Sequence, residues 1–73
     1  MLFFKQYLEQ KLQQTGKSRA ELYKALGLHR STIGNYLKDK RTPTHAIIRD
    51  TVSFFSSRKV EQRKDLHFIY FGE

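Results

Sequence analysis

Residues 18–43, SRAELYKALGLHRSTIGNYLKDKRTP, constrain this chain more than any other stretch. Ser18 is a good helix N-cap, and Glu21 stands three residues on. At that spacing a hydroxyl and a carboxylate each satisfy the other's backbone donor. Leu22, Ala25 and Leu26 follow at i, i+3 and i+4, which predicts one buried helix face. Gly27 can take the left-handed backbone that stops a helix, and Leu28 is expected as an apolar plug in the turn. A second short helix is predicted over about 29–38, with Ile33, Tyr36 and Leu37 inward. The same register turns Arg30, Ser31, Thr32, Asn35 and Lys38 outward. Two short helices thus meet across a tight turn, and the second presents hydrogen-bonding side chains.

The flanks predict further helices. Over 2–14, Phe4, Tyr7, Leu8 and Leu12 form an apolar stripe, opposed by Lys5, Glu9, Gln10 and Gln13. Thr15-Gly16 ends this core helix. Pro43 breaks the chain and launches a fourth helix over about 45–56, capped by Thr42 or Thr44. Ile48, Val52 and Phe55 line one stripe of it, and Ile47, Thr51 and Phe54 a second. That width calls for a further packing partner, either a second subunit or the C-terminal tail.

Residues 58–73 change character. Arg58, Lys59, Glu61, Arg63, Lys64 and Asp65 read as a polar linker or a short exposed helix, and LHFIYF at 66–71 is β-prone on both faces. A lone strand must pair. It can do so with residues 1–4 or with the same segment of another subunit. The alternative is that it folds back as helix and fills the core. The expected organisation is all-α: a bundle of four to five helices, with the main domain over 1–57 and a polar linker and aromatic interaction or dimerisation segment, possibly a pairing strand, over 58–73. The candidate partner contacts are Phe54, Phe55, Leu66, Phe68 and Tyr70.

At 73 residues the chain is one small domain whose core is marginal alone. It has no cysteine, which excludes disulfides and thiolate metal sites. His29, His45 and His67 share no metal-ligand spacing, and no cofactor is implied. Nothing resembles a nucleophile triad, a paired-carboxylate site or a phosphate-binding glycine loop, so an enzyme is not expected. The opening MLFFKQY is too short for a signal peptide or membrane span, and the first helix lacks the strongly basic face of a membrane-surface helix. The cytoplasm of a bacterial cell is the expected location. Lys and Arg number 14 against 7 Asp and Glu, a formal net charge of +7. That excess favours a polyanionic partner, nucleic acid first.

The residue types around the turn suit double-stranded DNA. Arg30 can present a fork to guanine O6 and N7, and Asn35 can pair with adenine N6 and N7. Ser31 and Thr32 can reach a base edge or a phosphate, and the Thr32 methyl can touch that of thymine. Asn35 lies about one turn beyond Ser31, so both can face one groove. Gly34 costs its helix up to roughly 1 kcal/mol; its bare backbone would let the helix sit deeper, unless it merely lies at the edge. His29 is a weaker cap than Ser or Thr, and its ring can also reach a phosphate. Arg19, at the first turn of its helix, would grip a phosphate beside open N–H groups; the bland alternative is a solvated cation. Lys38, Lys40 and Arg41 form a basic exit suited to phosphates.

Residues 18–43 resemble the helix-turn-helix of the phage repressor and Cro family. The likeness lies in Ser18-Arg19-Ala20-Glu21-Leu22, Ala25-Leu26-Gly27-Leu28, Arg30-Ser31-Thr32-Ile33 and the Lys40-Arg41-Thr42-Pro43 exit. With the flanking helices it covers about three quarters of the chain. The resemblance implies that Arg19 grips a phosphate, that Arg30, Ser31 and Asn35 read bases with Thr32 nearby, and that Lys40 and Arg41 hold the backbone. It also implies a homodimer on paired half-sites. Two features depart from the family. Tyr23 stands where a small residue is usual at the crossing of the two helices, and LHFIYFGE does not resemble the usual fifth helix. A small transcription regulator of a temperate phage or mobile element is therefore the leading expectation. A modulator that binds a larger resident phage repressor instead of DNA is the alternative.

Overall fold

Local signals set the ends of the middle helices. In the computed structural model, which describes residues 2–73, Ser18 caps α2 (Arg19–Leu26) with both arms of the capping box. The Ser18 hydroxyl accepts from the Glu21 N–H at 3.1 Å, and Glu21 accepts from the Ser18 N–H at 2.9 Å. Gly27, at φ +68°, ends α2, with Leu28 N–H bonded to the Tyr23 carbonyl. Around this pair stand α1 (Phe4–Thr15), α3 (Arg30–Leu37), α4 (His45–Phe55) and α5 (Lys59–Phe71). Thr44 is the cap of α4; its hydroxyl accepts from Ile47 N–H. Among the described residues there is no strand.

The core draws on every helix. Phe4, Tyr7 and Leu8 come from α1, Leu22 from α2, Ile33 and Tyr36 from α3, Ile48 and Val52 from α4, and Ile69 from α5. Phe4 meets Tyr36 edge to face at 5.4 Å between ring centres. Ala25, expected inward, is exposed, because the α2 face closes with Leu22 and the half-buried Leu26. Tyr23, the bulky residue at the crossing of α2 and α3, is half-buried against the core. The second stripe of α4 is covered within the chain: Thr51 is buried, Ile47 and Phe54 are half-buried, and α5 packs on α4.

The C-terminal segment is neither a linker nor a strand. Residues 59–71 form one helix, which packs on α1 and α4 and belongs to the same core as the rest. Its helical period is hidden because half of its inward face is polar. Gln62, Asp65, Leu66 and Ile69 stand at i, i+3, i+4 and i+7, and all four are partly or fully buried. Asp65 is the hub. Its Oδ2 accepts from the Tyr7 hydroxyl at 2.9 Å and the Ser56 hydroxyl at 2.7 Å, with Lys11 Nζ at 3.7 Å. Gln62 closes the corner by donating to the Ser56 carbonyl. Burial, reinforced by the Asp65 carboxylate, holds the Tyr7 phenol well above its ordinary range, so it stays a donor. Paired polar groups thus occupy inward positions without the cost of an unsatisfied group.

The far end of α5 is tied to the other terminus. Phe3 N–H donates to the Ile69 carbonyl at 2.7 Å. The Phe3 ring lies against Gly72, whose φ is +78° and which has no room for a Cβ. Tyr70 bonds His45 at the start of α4. These tertiary contacts override the β-propensity of the aromatic run. Of the strand partner considered at 1–4, Met1 lies outside the described residues, and Phe4 already opens α1.

Candidate nucleic-acid interface

Helix α3 carries the side chains expected to read bases. His29 is its N-cap: ring Nδ1 accepts from Ser31 N–H at 3.2 Å, and Thr32 N–H bonds the His29 carbonyl at 3.0 Å. Arg30 and Ser31 occupy the exposed first turn. Thr32 and Asn35 are half-buried. Arg30 and Ser31 are therefore the more accessible pair, and Thr32 and Asn35 the more enclosed one. Gly34 has open space where a side chain would stand, since nothing lies within 4 Å of the position its Cβ would take.

The exit from α3 is built by a residue that sequence reasoning passed over. Asp39 adopts φ +58°, the left-handed conformation usually left to glycine. Its N–H bonds the Tyr36 carbonyl at 3.1 Å, and Lys40 N–H bonds the Asn35 carbonyl at 2.9 Å. This is the closing pattern that Gly27 gives α2. A short acidic residue directly after an amphipathic run is the signal that could have found it, since Asp tolerates this backbone better than most side chains. The turn sets Lys38, Lys40 and Arg41 in succession, all exposed, before the buried Pro43 returns the chain to α4.

Arg19 opens α2 and is exposed. The capping box consumes Glu21 N–H but leaves the N–H groups of Arg19 and Ala20 at the open end of the helix. Among the described residues the one ion pair is Lys11–Asp65, far in sequence from this face. Arg19, Arg30, Lys38, Lys40 and Arg41 thus have no carboxylate within salt-bridge distance. Lys17 differs, with its ammonium 4.5 Å from the centre of the Phe54 ring.

The residues considered for partner contact lie elsewhere. Phe54, Phe55, Leu66, Phe68 and Tyr70 are all half-buried against the chain's own core. The large apolar side chains most open to solvent are instead Val60, 60% exposed, and Phe71, 68% exposed. Both lie on α5, where residues 60, 64, 67 and 71 share one face.

Two short helices across a glycine turn, with the second exposing polar side chains beside unpaired cations, define a helix-turn-helix DNA-binding module. Comparison with known families agrees: a helix-turn-helix family model matches residues 8–49. The chain belongs to that family of DNA-binding regulators. Neither the curated proteins nor the solved structures gave a match. No described helix is long and apolar enough to cross a membrane.

Proposed function

We propose that the protein is a sequence-specific regulator of transcription of the Cro/repressor type, from a temperate phage or mobile element, acting on double-stranded DNA in a bacterial cytoplasm. The observation that carries the reading is the exposed first turn of α3, flanked by cations that have no carboxylate within salt-bridge distance among the described residues. Arg30 and Ser31 would read bases in the major groove, with Thr32 and Asn35 completing the readout. Arg19, His29, Lys38, Lys40 and Arg41 would hold phosphates and supply most of the affinity. With no catalytic group in the reading, occupancy of a promoter is the mechanism.

A homodimer would place two recognition helices about 34 Å apart, one turn of DNA. Its contact would lie on α5 and the adjoining end of α4, around Phe54, Phe55, Leu66, Phe68 and Tyr70. The exposed Val60 and Phe71, on the outer face of α5, support an intermolecular contact on that helix. The same exposure favours a second reading, in which this surface binds a larger phage repressor and the protein modulates it. Selection from a random duplex pool at moderate salt tests the first reading. An enriched two-fold site with half-sites one turn apart is the expected result. Retention without enrichment reduces the reading to a basic surface, and no retention turns it toward the modulator.

A further inference from the structure

The cap of α3 is an imidazole, and it does more than close the helix. His29 Nδ1 lies 2.8 Å from the Ser31 hydroxyl oxygen as well as 3.2 Å from the Ser31 backbone nitrogen. A nitrogen that accepts the Ser31 N–H carries no proton of its own, so the ring proton sits on Nε2. The hydroxyl at 2.8 Å then shares that one in-plane lone pair as a second donor, in a three-centre bond. Its single proton is committed, and only lone pairs remain to face outward. A serine on a recognition helix can ordinarily serve either a donor or an acceptor base edge. Here the cap has removed that choice.

We infer that His29 is a specificity-positioning residue: it fixes Ser31 as a hydrogen-bond acceptor and so directs it to a base offering an exocyclic amine, adenine N6 or cytosine N4. The inference rests on the reading of α3 as a DNA reader. In the major groove those amines are the donors, whereas purine N7, guanine O6 and thymine O4 are acceptors. The serine bonded to its cap is repelled by the second set. A Ser or Thr cap makes its bond to backbone N–H alone and would leave the Ser31 proton available to either set.

The test has a protein arm and a DNA arm, both on the full chain. Two-bond proton–nitrogen spectra of the imidazoles should show His29 with the proton on Nε2 and an accepting Nδ1; a proton on Nδ1 overturns the inference. In the DNA arm, wild type and Ser31→Ala are carried through selection from a random duplex pool. Ser31→Ala should flatten preference at one base pair per half-site. Replacing that pair's exocyclic amine with hydrogen should weaken wild-type binding about fivefold, the size of one net hydrogen bond, and leave Ser31→Ala unaffected. Removing purine N7 by a 7-deaza substitution should cost the Ser31 contact nothing.

His29→Ser keeps a helix cap but releases the Ser31 proton, so it should relax preference at that pair, while the lost phosphate contact lowers affinity evenly across sequences. A thermal midpoint at or above that of wild type confirms that the cap is kept. The inference falls if amine deletion costs nothing, if N7 deletion costs instead, if Ser31→Ala changes no position, or if His29→Ser preserves the wild-type preference. If wild type enriches no site at all, the DNA reading falls and takes this inference with it. An enriched site with the wrong chemistry at the Ser31 pair sinks the inference alone.

Discussion

Helices α3 and α5 are specified in opposite ways. Helix α3 begins at a side-chain cap, His29, and closes on the left-handed Asp39. Helix α5 begins at Arg58 with no side-chain cap bond, and half of its length is an aromatic run with strand propensity. Its helicity comes from outside itself: the Asp65 hub on α1 and the α4–α5 corner, the bond from Phe3 to Ile69, and the burial of Ile69. A helix written in its own residues can present its outer face to a ligand, because packing does not have to define it. A helix written in its contacts must commit its polar groups inward.

The contrast is sharpest at Asp65. Asp65→Ala removes the acceptor of two buried hydroxyls and the partner of Lys11, and should cost about 3 kcal/mol in urea unfolding. Amide exchange should quicken first in α5 and only later in α2 and α3. If instead all helices lose protection together at the same cost, α5 is as self-sufficient as α3. The Tyr7 bond adds a pH signature. Its phenol is raised above its ordinary value of 10.0, so its contribution is present below that pH and lost as pH rises above it. Wild-type stability should therefore fall more steeply above about pH 10 than that of Tyr7→Phe, as read by urea titrations across the range.

Gly72→Ala comes next in size. The position combines φ +78° with a Cβ that would stand 2.8 Å from the Phe3 ring. A loss of about 2 kcal/mol is expected, with the near-ultraviolet aromatic signal altered. The smallest effect belongs to α3. Asp39→Gly relieves a left-handed non-glycine residue and should stabilise by about 1 kcal/mol, raising the melting temperature. A destabilisation there would mean that the Asp39 side chain is itself part of the exit.

How legible each region was in the sequence follows from the same physics. Ser18 with Glu21, Gly27 and His29 are contacts over two to five residues, so their types and spacing announce them. Four helices could be read that way, and so could the exposure of Arg30, Ser31 and Lys38, whereas Thr32 and Asn35, expected outward, are half-buried. Helix α5 could be read only as the alternative to a strand, in which the tail folds back and fills the core, because Gln62 and Asp65 stand where apolar residues would have revealed the period. Their acceptability depends on Ser56 and Tyr7, distant in sequence. Asp39 escaped because its charge suggested a solvated run, whereas its backbone conformation is what matters. The His29–Ser31 bond lies two residues apart, yet residue type alone does not tell which nitrogen accepts.

On the proposed reading the first turn of α3 would discriminate among sequences while the cations around it only hold the backbone. The most direct measurement is the affinity of wild type and Arg30→Ala, at one salt concentration, for a selected duplex and for a scrambled one. A loss of about tenfold or more is expected on the selected duplex, in the range of a lost bidentate base contact, with little change on the scrambled one. An equal loss on both would contradict the reading and leave Arg30 as one more phosphate-binding cation.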